Sequence, residues 1–208
     1  MPIKRLDRAK SRLRGAVPAE RHAGLVLALL VDTVTSAIAA DGVRRVLVVC
    51  EDDRIPAALR GTGVECVDER GLPGLNAALT FGAELLRTTA GTDGTVGALQ
   101  ADLPALRPAD LTSALAEANG GRAHCADRPG TGTTLLLAAP GAPLDPRFGP
   151  GSSAAHTATG AVRVGATLAS LRCDVDTEDD LGTATGLGLG AATAKFTRSF
   201  GLRCTITP

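Results

Sequence analysis

Aromatic side chains are nearly missing from the sequence, which has no tryptophan or tyrosine and four phenylalanines among 208 residues. Proteins that bind single-stranded nucleic acid stack its bases on aromatic side chains, so this class of function is disfavoured. The formal net charge is zero, and no long basic run is present. We therefore expect neither nucleic acid nor an anionic membrane as a partner.

Long apolar runs are also absent. The longest run, Gly24 to Val31, is too short to span a bilayer, ends at Asp32 and lacks the layout of a signal peptide. The five cysteines are odd in number and include no C-x-x-C pair, so the sequence indicates neither a disulfide framework nor a zinc site. We expect a cytoplasmic protein whose thiols are structural.

Predicted helices and strands alternate along the chain. The patterns predict helices at 18–40, 53–60, 74–86, 108–119, 152–159 and 177–186, and strands at 43–50, 63–67, 95–101, 122–127, 132–138 and 171–175. This alternation favours a single α/β domain, residues 1–192, with a largely parallel sheet flanked by helices. Residues 193–208 show no clear period and are predicted to form a flexible C-terminal tail.

One carboxylate follows the most apolar of these strands. The stretch GTVGALQADLPAL, residues 94–106, reads as a strand buried on both faces that leads directly into Asp102. Ligands of α/β sheets bind beyond the carboxyl ends of the strands. Asp102 lies too far upstream to cap the helix that begins near Pro108, whereas Asp110 suits the dipole of that helix. We therefore expect Asp102 to bind a metal ion or a substrate.

Two more carboxylates occur in the stretch RCDVDTEDDL, residues 172–181. Asp174 and Asp176 are two positions apart, so on a strand they point to the same face and repel each other unless a cation lies between them. A divalent ion would serve, because hard cations take carboxylate oxygens. The alternative is that Asp176 or Thr177 caps the following helix.

Two glycine-rich loops could bind an anion. In ADRPGTGTTLLLA, residues 126–138, backbone N–H groups and threonine hydroxyls precede a strand; the alternative is a simple hairpin turn. In RFGPGSSAAH, residues 147–156, a Gly-Pro-Gly loop enters a helix whose N-terminus could bind a phosphate or only be capped by Ser152 or Ser153. We expect His156 on the exposed side of that helix.

The beginning of the chain is basic, with the stretch PIKRLDRAKSRLRG at residues 2–15. It is either a solvated basic helix or a clamp for a triphosphate. The stretch DERGLPGLNAAL, residues 68–79, places Gly71 and Gly74 beside Asn76, where backbone groups could contact a purine edge. The stretch GLGLG at 186–190 follows a helix rather than a strand, so a dinucleotide site is not indicated there.

Six of these motifs, in this order, resemble the guanylyltransferases of deazaflavin coenzyme (coenzyme F-420) biosynthesis, which act on phosphoenolpyruvate or 2-phospho-L-lactate. The motifs are PIKRLDRAKSRL, GLNAAL, LQADLPAL, ADRPGTGTTLLLA, FGPGSSAAH and DVDTEDDL, and the resemblance covers residues 2–192. It implies a nucleotidyltransferase fold of the glycosyltransferase-A-like type, a Rossmann-like mixed sheet flanked by helices. It also implies transfer of GMP from GTP.

The resemblance assigns residues to three groups. Asp102, Asp174 and Asp176 would bind Mg²⁺, with Asp102 as the catalytic residue. Thr134, Gly149 and Ser152 would hold the acceptor, with Thr133 in place of Thr134 as the alternative. The nucleotide would be bound by Lys4, Lys10, Arg12, Gly74 and Asn76.

The sequence leaves several alternatives open. The composition, rich in arginine, alanine and glycine, suggests a GC-rich genome and bacterial relatives, which favours phosphoenolpyruvate over 2-phospho-L-lactate as the acceptor. Another nucleotidyltransferase, a non-catalytic nucleotide-binding module and a homodimer also stay open. Relatives usually begin with a full hydrophobic strand before the P-x-K motif, whereas only residues 1–3 precede Lys4, so we expect a start assigned too late or a truncated chain.

Overall fold

The computed structural model describes residues 1–3, 5–7, 9–13, 17–69, 71–90 and 94–199. In these ranges the strands are β1 (Pro2–Ile3), β2 (Leu47–Cys50), β3 (Glu65–Asp68), β4 (Gly97–Leu99), β5 (Ala123–Ala126), β6 (Thr133–Leu137) and β7 (Val162–Arg163). The helices are α1 (His22–Ile38), α2 (Arg54–Ala58), α3 (Leu75–Ala90), α4 (Pro108–Ala118), α5 (Ser152–Ala158), α6 (Glu178–Leu187) and α7 (Ala191–Arg198).

The strands form two sheets with the orders β1-β2-β3 and β4-β6-β5-β7. Strand pairing in the first sheet is parallel, but β6 is antiparallel to both of its neighbours, β4 and β5. The α/β class is confirmed, whereas the expectation of a largely parallel architecture holds for the first sheet alone. The reason is the short turn between β5 and β6, since a tight turn joins antiparallel strands.

Helices cover both faces of the second sheet. Leu99 and Leu135 pack with residues of α1 and α4 in one apolar cluster, while Ala98 and Leu136 pack with residues of α3 in another. Successive residues of a strand point to opposite faces, so the apolar run of β4 is explained by burial on both sides. This burial holds the carboxyl end of β4, and with it Asp102, in a fixed position.

The helix α1 belongs to the core. Among the described residues, one helix, Ala19–Ile38, is long and apolar enough to cross a membrane by length and composition, and 56% of its most apolar window is buried inside the protein. The Thr33 hydroxyl donates to the Leu29 carbonyl at 2.8 Å and accepts the N–H of Leu103 at 2.9 Å. This polar contact anchors the chain immediately after Asp102.

Two predictions for the C-terminal third were wrong. Residues 171–175 have no assigned strand, although Val175 is buried as a strand residue would be. Residues 193–198, predicted to belong to a flexible tail, form most of α7, because the Asp32 carboxylate accepts the N–H groups of Ala192 and Thr193 at 2.9 and 2.7 Å. Residues 200–208 of the predicted tail lie outside the described residues.

Candidate active site

The segments that carry the predicted acidic residues meet beyond the carboxyl end of β4. The N–H of Val175 donates to the carbonyl oxygen of Asp102 at 3.0 Å, which fixes the two segments side by side. Val175 is fully buried, whereas Asp174 and Asp176 on either side of it are half-buried. The alternation sends both carboxylates away from the core, as predicted for positions i and i+2 of an extended segment.

A lysine lies between the carboxylates. The Lys10 ammonium contacts the carboxylate of Asp102, and it donates to Oδ1 of Asp176 at 2.6 Å. The Arg12 guanidinium reaches Oδ2 of Asp176 at 2.5 Å. The side chain of Asp102 is 8% exposed and that of Lys10 is 20% exposed, so this ion pair is largely shielded from water. Charges interact more strongly in such a shielded position than at a surface.

Neighbouring residues hold the basic loop, the N-terminal segment that carries Lys10 and Arg12, in place. Leu6 is fully buried, and its N–H donates to Asp52 at 3.2 Å. His22 of α1 makes a 2.7 Å hydrogen bond with the Ala9 carbonyl. Lys10 itself has φ of +54°, a left-handed conformation that non-glycine residues seldom adopt. The loop therefore directs Lys10 into the acidic cluster, while Lys4 lies outside the described residues.

Helix capping does not account for Asp176. The N-cap of α6 is Thr177, whose side chain accepts from the N–H of Asp180 while the Asp180 carboxylate accepts from the Thr177 N–H. This capping box satisfies the helix terminus without Asp176. The capping alternative thus applies to Thr177, and the Asp176 carboxylate is directed to Lys10 and Arg12.

The carboxylates offer suitable oxygens for a cation. Oδ1 of Asp102 is buried and has no hydrogen-bond partner. Burial raises the pKa of Asp174 to about 6; Lys10 opposes this shift, and Asp176 and Asp127 add to it. An unpaired buried oxygen and a carboxyl with a raised pKa both indicate local negative charge without full compensation. These residues fit a hard divalent cation by donor type.

The side-chain positions nevertheless differ from a completed metal site. Over the part of the chain that the structure describes, no three His, Cys, Asp or Glu side chains are grouped so that they could hold a metal ion. The Lys10 ammonium contacts Asp102 and Asp176, two of the carboxylates predicted to bind the metal ion. These two carboxylates are therefore already paired with a cation of the chain.

The backbone N–H groups of the turn between β5 and β6 bind the carboxylate of Asp127, a residue of the same turn. The Asp127 carboxylate accepts the N–H groups of Gly130, Thr131 and Gly132 at 2.7, 2.9 and 2.8 Å. The hairpin alternative is confirmed by the antiparallel pairing of β5 and β6. The three N–H groups that the sequence suggested for a substrate are therefore already occupied.

A second loop, residues 147–152, leads into α5; we call it the acceptor loop. Asn76 at the start of α3 holds the acceptor loop through both the nitrogen and the oxygen of its side-chain amide. Its Nδ2 donates to the Phe148 carbonyl at 3.0 Å, and its Oδ1 accepts the Phe148 N–H at 2.8 Å. The side chain predicted to contact the nucleotide is thus fully engaged with this loop.

His156 is also part of this support, and its predicted exposure was wrong. The side chain is completely buried; Nε2 accepts the N–H of Arg147 at 2.9 Å, and Nδ1 lies 2.9 Å from the Thr133 hydroxyl. Burial, together with the nearby His124, lowers the pKa of His156 to about 4. The neutral ring accepts at one nitrogen and donates at the other, so His156 joins the acceptor loop to β6.

The predicted acceptor residues lie in different environments. Thr134 is buried with its hydroxyl 3.5 Å from the Cys125 carbonyl, and its own carbonyl accepts the N–H of Gln100 at 2.9 Å, next to the Asp102 segment. Gly149 is exposed, with φ of +142° and open space where a Cβ would lie. Ser152 is 2% exposed, and the N-cap of α5 is Gly151 rather than a serine. Gly74 precedes α3 with φ of +86°.

The described cysteines do not provide a nucleophile. All four are free, and three of them are buried. Burial raises the pKa of Cys50 to about 12 and that of Cys125 and Cys173 to about 11. Their thiols stay protonated at neutral pH, which agrees with the structural role predicted for them.

The family model for "Guanylyl transferase CofC like" proteins matches residues 1–207. The chain is 50% identical over 197 residues to a phosphoenolpyruvate guanylyltransferase of Salinispora arenicola, covering 93% of this chain and 90% of the relative. It is 50% identical over 200 residues to the enzyme of the same name from Streptomyces scabiei, covering 93% and 92%.

Two solved structures are similar in fold. A structure described as a nucleotide-diphospho-sugar transferase from Desulfovibrio desulfuricans G20 has a TM-score of 0.69 at 16% identity, covering 95% of this chain and 92% of its own. A nucleotidyl transferase from Methanothermobacter has a TM-score of 0.50 at 19% identity, covering 84% and 81%. At these identities the likeness concerns the fold alone, and it confirms the predicted nucleotidyltransferase architecture.

Proposed function

Because the chain belongs to the CofC-like guanylyl transferase family, we propose that it transfers GMP from GTP to phosphoenolpyruvate in coenzyme F-420 biosynthesis. The products are enolpyruvyl-diphospho-5′-guanosine and diphosphate. The observation that carries the proposal is the contact of one lysine, Lys10, with Asp102 and Asp176 beyond the carboxyl end of β4. This is the edge at which ligands of α/β sheets bind.

The transfer of GMP requires no nucleophile from the protein. The acceptor is a phosphate monoester, whose second pKa is about 6, so at neutral pH most of it is a dianion that can attack without a general base. A protonated, buried thiol has no part in such a reaction. The difficulty is electrostatic, because two anions, the acceptor phosphate and the nucleotide phosphates, must approach each other.

The acidic cluster and the basic loop would each reduce this repulsion in a different way. A Mg²⁺ ion bound by Asp102, Asp174 and Asp176 would supply the positive charge that lowers the repulsion between the two phosphates. Lys10 and Arg12 both contact Asp176 and would bind the phosphates of GTP. Lys4 is assigned to the nucleotide by its motif alone.

The acceptor loop provides the remaining contacts. Gly149 is exposed and has no side chain to restrict a ligand, so its backbone can approach the carboxylate or phosphate of the acceptor. Ser152 follows in the same loop, and Thr134 lies on β6 beside the strand that carries Asp102. We assign these three residues to phosphoenolpyruvate and Gly74 to the nucleotide. Asn76, which its motif also assigns to the nucleotide, would act by holding the acceptor loop through Phe148.

The surroundings expected for this enzyme follow from the same proposal. We place it in the cytoplasm, where GTP and phosphoenolpyruvate are available, with no nucleic acid or membrane partner. The burial of α1 inside the protein supports this location. Pairing of two copies into a homodimer stays an open alternative.

The test is a pyrophosphate-release assay with GTP, Mg²⁺ and one acceptor at a time. We expect release with phosphoenolpyruvate and little with 2-phospho-L-lactate or without an acceptor. Release with 2-phospho-L-lactate alone would correct the acceptor, since the two acids differ by a small shape change that a pocket discriminates weakly. Folded protein that binds GTP but releases no pyrophosphate with either acceptor would contradict transfer and leave a nucleotide-binding module.

A further inference from the structure

The turn between β5 and β6, residues 127–132, contacts both parts of the candidate active site. On one side, the Thr131 carbonyl accepts the N–H of Ser153 at 3.0 Å. Ser153 belongs to the first turn of α5, directly after the acceptor loop, and its hydroxyl lies 3.2 Å from Nε2 of the buried His124. The beginning of α5, and with it the acceptor loop, is therefore fixed to the turn.

On the other side, one arginine joins the turn to the acidic segment, which we define as residues 172–177. Three backbone carbonyl groups at the end of β5 and the start of the turn accept hydrogen bonds of 2.9 to 3.2 Å from the Arg172 guanidinium; they belong to Ala126, Asp127 and Arg128. Nη1 of Arg172 donates in addition to the Ala166 carbonyl at 2.7 Å. A single side chain of the acidic segment thus holds the start of the turn.

A second contact between the turn and the acidic segment is weaker. The Arg128 guanidinium donates to Oδ1 of Asp180 at 3.0 Å, and Oδ2 of Asp180 accepts the N–H of Asp176 at 3.3 Å. The side chain of Arg128 is 53% exposed, and exposed ion pairs contribute little to stability. Arg172 is half-buried, and hydrogen bonds from a charged donor are stronger than those between neutral groups. We therefore assign the main link to Arg172.

The turn itself is tightly closed. Its three N–H groups at residues 130–132 donate to the Asp127 carboxylate, and a side chain at Gly132 would overlap with that carboxylate. The carbonyl groups that Arg172 holds lie at the start of the turn, and the Thr131 carbonyl that holds Ser153 lies near its end. A constraint applied at the start is consequently transmitted to α5.

The acidic segment has a separate attachment to β4. The N–H of Val175 donates to the Asp102 carbonyl at 3.0 Å, and Asp174 lies between Val175 and the buried Cys173. Loss of the Arg172 contacts would leave this attachment in place. The acceptor loop would then shift relative to Asp174 and Asp102, while the two carboxylates kept their positions relative to each other.

We propose that Arg172 is a positioning residue, which holds the acceptor loop at a fixed separation from Asp174 through the turn between β5 and β6. The proposal rests on the proposed function, because it concerns how the acceptor is placed in that active site. Transfer requires the acceptor phosphate to approach the nucleotide in line, and a misplacement of about 1 Å can lower a rate by about 100-fold. Arg172 acts on the acceptor through the turn and contacts neither substrate.

The shape of the guanidinium, rather than its charge, accounts for this role. Nη1 and Nη2 reach carbonyl groups in two different segments at the same time, at Ala166 and at Asp127. A lysine at position 172 would keep the charge but has one donor group, and the two side chains are not interchangeable where a planar fork of donors is used. The alternative is that Arg172 acts by its positive charge near the acidic residues, and lysine would then replace it.

The test compares Arg172→Lys and Arg172→Met with the unmodified protein. We expect both variants to raise KM for phosphoenolpyruvate by about tenfold or more and to lower kcat, since the acceptor is misplaced. KM for GTP and the Mg²⁺ concentration at half-maximal rate should change by about twofold or less, because the contact between Val175 and Asp102 is retained. Arg107→Met is the matched control, since Arg107 also donates to a backbone carbonyl, that of Leu187 at 3.0 Å, at the end of α6.

A second measurement needs no substrate. Amide exchange of Ser153, whose N–H is bound by the Thr131 carbonyl, should accelerate by about tenfold or more in both Arg172 variants and stay unchanged in Arg107→Met, since exchange reports local opening. Thermal unfolding verifies that each variant is folded. Arg172→Lys, which keeps the charge and one donor group, serves both measurements if Arg172→Met does not fold.

Three results would overturn the proposal. Normal constants in Arg172→Lys would assign the effect to charge. A rise of similar size in the constants for phosphoenolpyruvate, GTP and Mg²⁺ would show a general structural role. Unchanged exchange of Ser153 in folded Arg172 variants would exclude the link through the turn. If the unmodified protein releases no pyrophosphate, the proposed function fails, and the exchange of Ser153 still decides whether Arg172 holds α5 through the turn.

Discussion

The N–H of Val175 donates a 3.0 Å hydrogen bond to the carbonyl oxygen of Asp102. This one contact connects the end of β4 with the segment that carries Asp174 and Asp176, and it is a backbone bond that side-chain substitutions leave in place. The acidic cluster can therefore be altered one carboxylate at a time without losing the local fold.

Asp102→Asn should lower kcat/KM for GMP transfer by about 100-fold or more. The change removes the charge that faces Lys10 but keeps the shape, and Oδ1 of Asp102 has no hydrogen bond to lose. Stability should change by about 1 kcal/mol or less. Pyrophosphate release and thermal unfolding measure the two effects, with Asp179→Asn, an exposed position in the first turn of α6, as the matched control. Near-normal turnover would remove Asp102 from the catalytic site.

Lys10→Met should raise KM for GTP by about tenfold or more, because a charge-assisted contact with phosphate is lost. It also leaves Asp102 and Asp176 without the ammonium between them, so added Mg²⁺ should raise Tm more in this variant than in the unmodified protein. Steady-state kinetics with GTP varied, and thermal unfolding with and without Mg²⁺, measure the two effects. Lys195→Met, an exposed change on α7, is the control. An identical Mg²⁺ response in the variant and the unmodified protein would exclude competition between Lys10 and the ion.

The position of the acidic cluster was predictable because its signals are local. A run buried on both faces that ends in a carboxylate identifies Asp102, and the i, i+2 spacing identifies Asp174 and Asp176. The repulsion between these carboxylates predicts a cation, but not which one. In the structure the cation that contacts them is Lys10, which comes from a loop distant in the sequence and held by Asp52 and His22.

Two residues have tertiary partners that sequence reasoning did not find. His156 sits on a short helix whose buried side no local pattern reveals, and its partners are Thr133 and the Arg147 backbone. Asn76, at the start of α3, follows a glycine-rich stretch typical of ligand contacts, yet its side chain pairs with Phe148. The clearest signal available was chemical: a histidine and an asparagine near glycine-rich loops can satisfy backbone groups that the loops leave unpaired.

Asn76→Ala should raise KM for the acceptor by about tenfold, with KM for GTP nearly unchanged. The reason is that both hydrogen bonds of the Asn76 amide hold Phe148 in the acceptor loop, and a loosened loop binds its ligand less well. Steady-state kinetics with each substrate varied in turn separates the two constants. Asn119→Ala, which places alanine in the left-handed conformation at the C-cap of α4, controls for general destabilisation. A rise confined to the GTP constant would return Asn76 to the nucleotide site.

His156 should lower the stability of the protein as the pH decreases from about 6.5 to about 4, and His156→Gln should remove this contribution. Asp174, whose pKa is raised to about 6, contributes in the opposite direction in both proteins, so the comparison is between their slopes. His156 has its pKa lowered from 6.5 to about 4, so in this window the unfolded chain binds a proton that the folded chain does not. Stability therefore rises with pH across the window, by about 3 kcal/mol from this residue. The cause is structural, because protonated Nε2 would meet the Arg147 N–H that it now accepts.

Urea unfolding at a series of pH values measures this slope in the unmodified protein and in His156→Gln. His124, whose pKa burial also lowers, contributes in the same direction and accounts for a remaining slope in the His156 variant. Glutamine can still accept the Arg147 N–H through its amide oxygen, so the variant should fold at neutral pH. Equal slopes for the unmodified protein and His156→Gln would show that His156 binds its proton at the same pH in the folded and the unfolded chain, and this result would contradict the support of the acceptor loop by a neutral His156 ring.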